Sequence, residues 1–179
     1  MDKWKIAGQE IAPGEKKRVN LHPNMENYDM PATLVCGRKE GMTLLVTGGI
    51  HSGEYPGVAA VARIAREIDP AELAGRILFL HCVNTSGFWA RNPGRVPEDG
   101  FNLNGDYPGK AGGSPGERIA DYFVTQLFPQ ADFIVDIHSG GQNEPLTPCL
   151  FFSAGAGQAV EEAAFAAAMA PDIPELIAS

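Results

Sequence analysis

Apolar and polar positions alternate weakly over residues 1–41, which are polar and rich in turn residues. Short apolar pieces stand only around Val19 and at Thr33-Leu-Val-Cys36. That pattern predicts a lead-in of short antiparallel strands. The pattern then becomes regular. Thr43–Thr47 is an unbroken apolar run of the kind a strand buried on both faces requires. From Pro56 to Ile68 the apolar residues Val58, Val61, Ile64, Ala65 and Ile68 recur at helical spacing, and Pro56 suits a first helical turn.

Gly75–Val83 reads as the next buried strand. Asn84–Gly113 is dense in glycine and proline and shows no period, so it reads as one long irregular loop. Loops of that length in a compact domain are usually functional. Ser114-Pro-Gly-Glu117 then opens a helix expected to run to about Phe128, with Ser114 as N-cap and Glu117 completing a capping box. Ala131–His138 is expected to be a third buried strand and Pro148–Phe152 a fourth, followed by an alanine-rich helix over Gln158–Met169. No internal repeat is visible.

Strands alternating with helices predict an α/β fold with a largely parallel or mixed sheet flanked by helices. The expected organisation is one α/β domain over residues 1–179, with 1–41 as the short-strand lead-in and 42–179 as the core. In such sheets ligands gather at the carboxyl ends of the strands. His51 and Glu54 follow one predicted strand end, the long loop follows another, and His138 closes a third. All three are therefore expected on one rim.

Composition narrows the function classes. At 179 residues, 44% apolar and 20% charged, the chain can bury an ordinary globular core. A net charge of −8 argues against nucleic acid as a partner, because phosphate binding needs a concentrated basic surface. Lys16-Lys17-Arg18 is the nearest basic run, and a solvated strand end accounts for it. Cys36, Cys82 and Cys149 are scattered, an odd set that reads as free thiols in a reducing compartment. The opening residues carry no apolar segment of signal-peptide length, and no stretch approaches a membrane span. A cytoplasmic protein without a membrane partner is expected.

The chemistry lies on the rim. His51 and Glu54, three apart, can present both side chains to one ion if the turn is helical. Two histidines, one glutamate and one open position are an attested set for catalytic zinc, and His138 is the best candidate for the third ligand. His22, in the polar lead-in, reads as a surface residue, and His81, inside an apolar strand, as a hydrogen-bonded core residue. Asp136 shares a strand face with His138. Either it orients that histidine from behind the metal, or it is a carboxylate satisfied by neighbouring backbone amides.

Three blocks carry a resemblance beyond spacing. They are Gly48-Gly-Ile-His-Ser-Gly-Glu54, Arg95-Val-Pro-Glu-Asp-Gly-Phe-Asn-Leu-Asn-Gly-Asp-Tyr-Pro-Gly109 and Val135-Asp-Ile-His-Ser-Gly-Gly141. In order and approximate spacing the chain resembles the succinylglutamate desuccinylase/aspartoacylase family over roughly residues 5 to 153. These are zinc-dependent hydrolases of carboxypeptidase-like fold that cleave the amide bond of N-acylated amino acids. The resemblance implies one Zn2+ per chain held by His51, Glu54 and His138, with a small N-acyl amino acid or similar amide as substrate. It implies that Arg95, or Arg91 in a looser alignment, steadies the developing oxyanion, and that Asn104 helps hold the substrate. Zinc polarises the carbonyl and lowers the pKa of its water in such sites.

The sequence departs from the family in two places. The family block Asn-Leu-Asn-Arg reads here Asn102-Leu-Asn-Gly105. The family arginine pairs with a substrate carboxylate, which glycine cannot do. Either another group binds that carboxylate, the substrate lacks one, or binding is impaired. Family members also carry a further C-terminal portion that supplies the general-base glutamate and a small β-rich domain, whereas the sequence stops at Pro174-Glu-Leu-Ile-Ala-Ser179. These residues are therefore expected to hold the metal half of a site without its general base; Glu144 reads as a loop carboxylate. A catalytically impaired zinc-binding relic or fragment, and a zinc carboxypeptidase acting on peptides, are the alternative readings. An unpaired sheet edge would favour a homo-oligomer.

Overall fold

The structure, a computed structural model, describes residues 2–155, 157–169, 173 and 175–178. It comprises two compact units, Met1–Gln142 and Asn143–Ser179. The division falls inside the 42–179 core expected from the sequence.

The first unit opens with the antiparallel pair β1 (Trp4–Ile6) and β2 (Gln9–Ile11), then β3 (Glu15–Leu21) and β4 (Met30–Cys36). The antiparallel lead-in is thus present. Next come β5 (Lys39–Gly48), α1 (Tyr55–Glu67), β6 (Ala74–Leu80), α2 (Thr85–Ala90), α3 (Pro115–Tyr122) and β7 (Phe133–Ile137). A five-stranded sheet has the order β3-β4-β6-β5-β7. Strands β3, β4 and β6 pair antiparallel, while β6, β5 and β7 run parallel. The fold is a mixed α/β sheet with helices, and its parallel part carries the rim.

Alternation along the central strands feeds two apolar clusters. Leu45 of β5 and Leu78 and Leu80 of β6 join one cluster with Trp4, Met30, Ile119 and Phe123. Their neighbours Val46, Ile77 and Phe79 join the other, beneath Val61 and Ala65 of α1. The period of two on the strands and four on the helix divides the layers. Gly57 lets α1 come close. A Cβ there would lie 2.6 Å from the carbonyl oxygen of Ile137, so only glycine admits the helix against the end of β7.

Several elements differ from expectation. The strand expected over 131–138 is not buried. β7 pairs with β5 at the end of the sheet order, and Ile134 and Val135 are 47% and 45% exposed. The apolar run marks a strand but cannot tell a central position from an edge. The long loop contains α2, whose N-cap Asn84 accepts a hydrogen bond from the Gly87 amide. The helix expected to reach Phe128 is α-helical only to Tyr122. A π-helical turn (Phe123–Leu127) and a 3-10 turn (Phe128–Gln130) follow, the latter holding Pro129, which cannot continue an α-helix. β6 ends at Leu80, leaving His81–Val83 beyond it.

The second unit consists of β8 (Cys149–Phe152), α4 (Gln158–Ala168) and β9 (Glu175–Ala178). β8, expected to be a fourth buried strand, pairs instead in parallel with β9 in a two-stranded sheet, with Phe151 exposed. β9 was not expected; Pro174 and Ser179, at the ends of the last stretch quoted above, lie outside the described residues. Among the described residues no helix is long and apolar enough to cross a membrane.

Candidate metal centre

The turn after β5 begins at Gly49, whose φ of 67° is in the left-handed region. The chain then passes through His51 and Glu54 into α1, with the Glu54 amide donating to the His51 carbonyl. Two bonds tie this turn to the segment after α2. The Gly53 amide donates to the Pro93 carbonyl at 2.9 Å, and the buried Ser52 hydroxyl donates to the Asn92 carbonyl.

His138 follows the last residue of β7. Because β5 and β7 are parallel neighbours, their carboxyl ends lie side by side and His138 meets the His51 turn. His51 Nδ1 is 2.9 Å from Glu54 Oε1, and His138 Nδ1 is 2.9 Å from Glu54 Oε2. The Ser139 amide also donates to Oε2, at 2.9 Å. The two rings stand edge to face with centroids 5.1 Å apart. One ligand atom from each of His51, Glu54 and His138 lies within 4.8 Å of the others.

The outward nitrogens are held as well. His138 Nε2 is 2.7 Å from Asp136 Oδ2, and the Thr47 hydroxyl donates to Asp136 Oδ1 at 2.6 Å. Asp136 thus meets the side chains of His138 and Thr47. His51 Nε2 is 3.2 Å from Asn102 Oδ1, an oxygen that also accepts the Asn104 amide at 3.1 Å. That second bond fixes the amide orientation, so Nε2 of His51 must donate.

Each imidazole therefore has an acceptor at both nitrogens, while a neutral ring carries one N–H. With both Nε2 protons directed outward, both Nδ1 lone pairs face the Glu54 carboxylate. A divalent cation among those atoms removes the conflict, and this donor set fits one. The hydrogen bond to Asp136 raises the His138 pKa, the charges of Asp136 and Glu54 reinforce it, and burial opposes.

The other expected residues lie elsewhere. Arg95 donates to the Gly100 carbonyl of its own loop at 2.9 Å, and Arg91 caps α2 in a left-handed conformation. Among the described residues neither guanidinium bonds to His51, Glu54 or His138. Asn104 is exposed and contributes its backbone amide, whereas Asn102 reaches His51. Asn102 was missed because the Asn-Leu-Asn block offers two asparagines. The signal that separates them is the turn in which an asparagine accepts from the amide two residues on.

His22 pairs with Asp29 at the surface, and His81 hydrogen-bonds the Thr33 hydroxyl at 2.9 Å with its pKa lowered by burial. His22 is thus at the surface and His81 hydrogen-bonded, as expected of each. Glu144 is exposed, and a Cβ at Gly105 would meet no atom within 4 Å.

The family model of the succinylglutamate desuccinylase/aspartoacylase catalytic domain matches residues 40–178. The chain belongs to this family. It is 40% identical over 121 residues to the N-alpha-acetyl-L-2,4-diaminobutyric acid deacetylase of Halomonas elongata, covering 66% of this chain and 34% of that one. A solved succinylglutamate desuccinylase from a Silicibacter species is similar at TM-score 0.78 and 28% identity, over 99% of this chain and 54% of the other. The product-bound ectoine utilization protein EutE (DoeB) of Ruegeria pomeroyi gives 0.77 and 29%, over 93% and 54%. A metallo-carboxypeptidase of Burkholderia cenocepacia, at 18% identity and TM-score 0.63, shares the fold, over 92% of this chain and 48% of that one. The family member described here spans about a third of the curated relative's length and about half of each solved structure.

Proposed function

We propose that the chain carries the metal centre of a zinc-dependent amidohydrolase acting on an N-acyl amino acid or a related small amide. The observation that carries this reading is the pair of Nδ1 atoms, from His51 and His138, each 2.9 Å from a different oxygen of Glu54. His51, Glu54 and His138 would hold the metal, and a zinc ion bound there supplies Lewis acidity toward a carbonyl and lowers the pKa of water. Asn102 and Asp136 hold the Nε2 protons and so keep Nδ1 of each ring available as a ligand. Arg95 is the proposed oxyanion donor, a role in which its guanidinium exchanges the Gly100 carbonyl for substrate. Asn104, exposed on the same loop, is the proposed substrate contact. The relative named as an acetyl-diaminobutyric acid deacetylase supports acylated amino acids as the substrate class. Cys36, Cys82 and Cys149 are free thiols, in keeping with a reducing compartment such as the cytoplasm.

A second reading, metal binding without turnover, is favoured by one observation: the Arg95 guanidinium is bonded within its own loop. One assay separates the two. The purified chain is loaded with zinc and offered a panel of acetylated, succinylated and aspartyl amides, with amine release as the readout. Turnover that a chelator abolishes and zinc restores would establish the hydrolase reading for these residues. Stoichiometric zinc binding with no turnover of any amide would support the second reading, and a chain that binds no zinc would overturn both.

A further inference from the structure

The sheet register delivers a hydroxyl to the back of the metal centre. In the β5–β7 pair Thr47 stands opposite Asp136, and on its other side it is paired with Leu80 of β6. Thr47 is 2% exposed and Leu80 fully buried, so bulk water does not compete for the hydroxyl. That hydroxyl donates to Asp136 Oδ1 at 2.6 Å, while Asp136 Oδ2 faces His138 Nε2 at 2.7 Å. A carboxylate on one side chain can rotate and offer either oxygen, or both, to a neighbour. With Oδ1 held by a rigid, buried donor, the Asp136 plane is fixed and Oδ2 alone is presented to the imidazole. The Nε2 proton then has one partner, and the Nδ1 lone pair is aimed at the Glu54 side of the ring.

We propose that Thr47 is a positioning residue of the metal centre, acting through Asp136 on His138. The inference rests on the reading of His51, Glu54 and His138 as metal ligands and extends it to a residue on the neighbouring strand. A purely structural role makes a different prediction. Valine has the same branched shape and favours strands, so it fills the same space. Asp136 is partly exposed, with 30% of its side chain accessible, so water can solvate the oxygen that valine leaves free. The fold should therefore accept Thr47→Val, and the loss should fall on the metal.

The test is zinc affinity of the full chain, measured by competition with a chromophoric chelator, with the visible spectrum of bound Co2+ as a second readout. Thr47→Val is expected to weaken zinc binding about tenfold and perturb the Co2+ bands, while Thr47→Ser, which keeps the hydroxyl, stays within about threefold of wild type. In an Asp136→Asn background the Thr47→Val change is expected to add nothing, because the connection is already broken. Should Thr47→Val fail to fold, Thr47→Ala carries the same expectation. Wild-type zinc affinity in a folded Thr47→Val or Thr47→Ala variant would overturn this inference alone. So would a Thr47→Ser variant as weak as the valine one, since the methyl group would then be what matters. A wild-type chain that binds no zinc would overturn this inference together with the metal-centre reading.

Discussion

His138 follows Glu54 by 84 residues, yet its Nδ1 lies 2.9 Å from Glu54 Oε2. The parallel pairing of β5 with β7 closes that separation. Each strand runs toward the same rim, and each ends one short step before a residue of the trio. Two strand ends and one turn thus assemble a nitrogen–carboxylate–nitrogen set without any long side chain reaching across the fold. The outer partners then decide which nitrogen of each ring faces inward.

Glu54 is the hub of this arrangement, meeting both histidines and the Ser139 amide. Glu54→Gln keeps the size and removes the charge that balances a cation. Zinc affinity is expected to fall at least about a hundredfold in that variant, measured by competition titration. The folded state should persist by circular dichroism.

Asn102 and Asn104 are separated by one residue but have different duties. Asn102→Ala removes the acceptor for His51 Nε2 and is expected to weaken zinc binding by about 10–100-fold. Asn104→Ala keeps the backbone amide that bonds Asn102 and is expected to leave zinc affinity at the wild-type value. Equal zinc affinities for the two variants would count against the assignment.

Gly57 and Gly105 give opposite results when a methyl group is added. At Gly57 the methyl would press on the Ile137 carbonyl oxygen, one residue before His138, so Gly57→Ala is expected to lose about 1–3 kcal/mol of stability. At Gly105 it would enter open space, so Gly105→Ala is expected to change stability by less than about 0.5 kcal/mol. Urea denaturation of the two variants checks both.

The cysteines should separate by reactivity. Burial pushes the Cys82 thiol up to about 12 and also raises Cys36. A raised thiol pKa leaves the group protonated and unreactive below that pKa, so at pH 8 only roughly one Cys82 in ten thousand is thiolate. Cys149 is partly exposed. The native chain is expected to take up one equivalent of a maleimide or disulfide reagent at pH 8, at Cys149, and three equivalents after unfolding.

The grouping of His51, Glu54 and His138 was legible because its signals are local and strong. His51 and Glu54 sit between an apolar strand pattern and a helical stripe, and His138 ends another apolar run. Strand ends place such residues on a rim even before strand order is known. Strand order itself was not legible. An apolar run such as Phe133–Ile137 reports that a strand forms, while the exposure of Ile134 and Val135 depends on which strands lie beside it. α2 is only six residues long, too short for a periodic stripe, so its sole signal was the Asn84 cap. The choice of Asn102 over Asn104 depends on a turn geometry within one loop, and the Thr47–Asp136 contact on a cross-strand register. Neither is encoded in spacing along the chain.

His51, Glu54 and His138 are proposed to bind one metal ion together. The most direct measurement is a crystal structure of the zinc-loaded chain, with anomalous data collected on either side of the zinc edge. A single strong anomalous peak is expected at about 2.0–2.2 Å from His51 Nδ1, His138 Nδ1 and a Glu54 carboxylate oxygen. A peak held by other residues, or none at this site in zinc-saturated crystals, would contradict it.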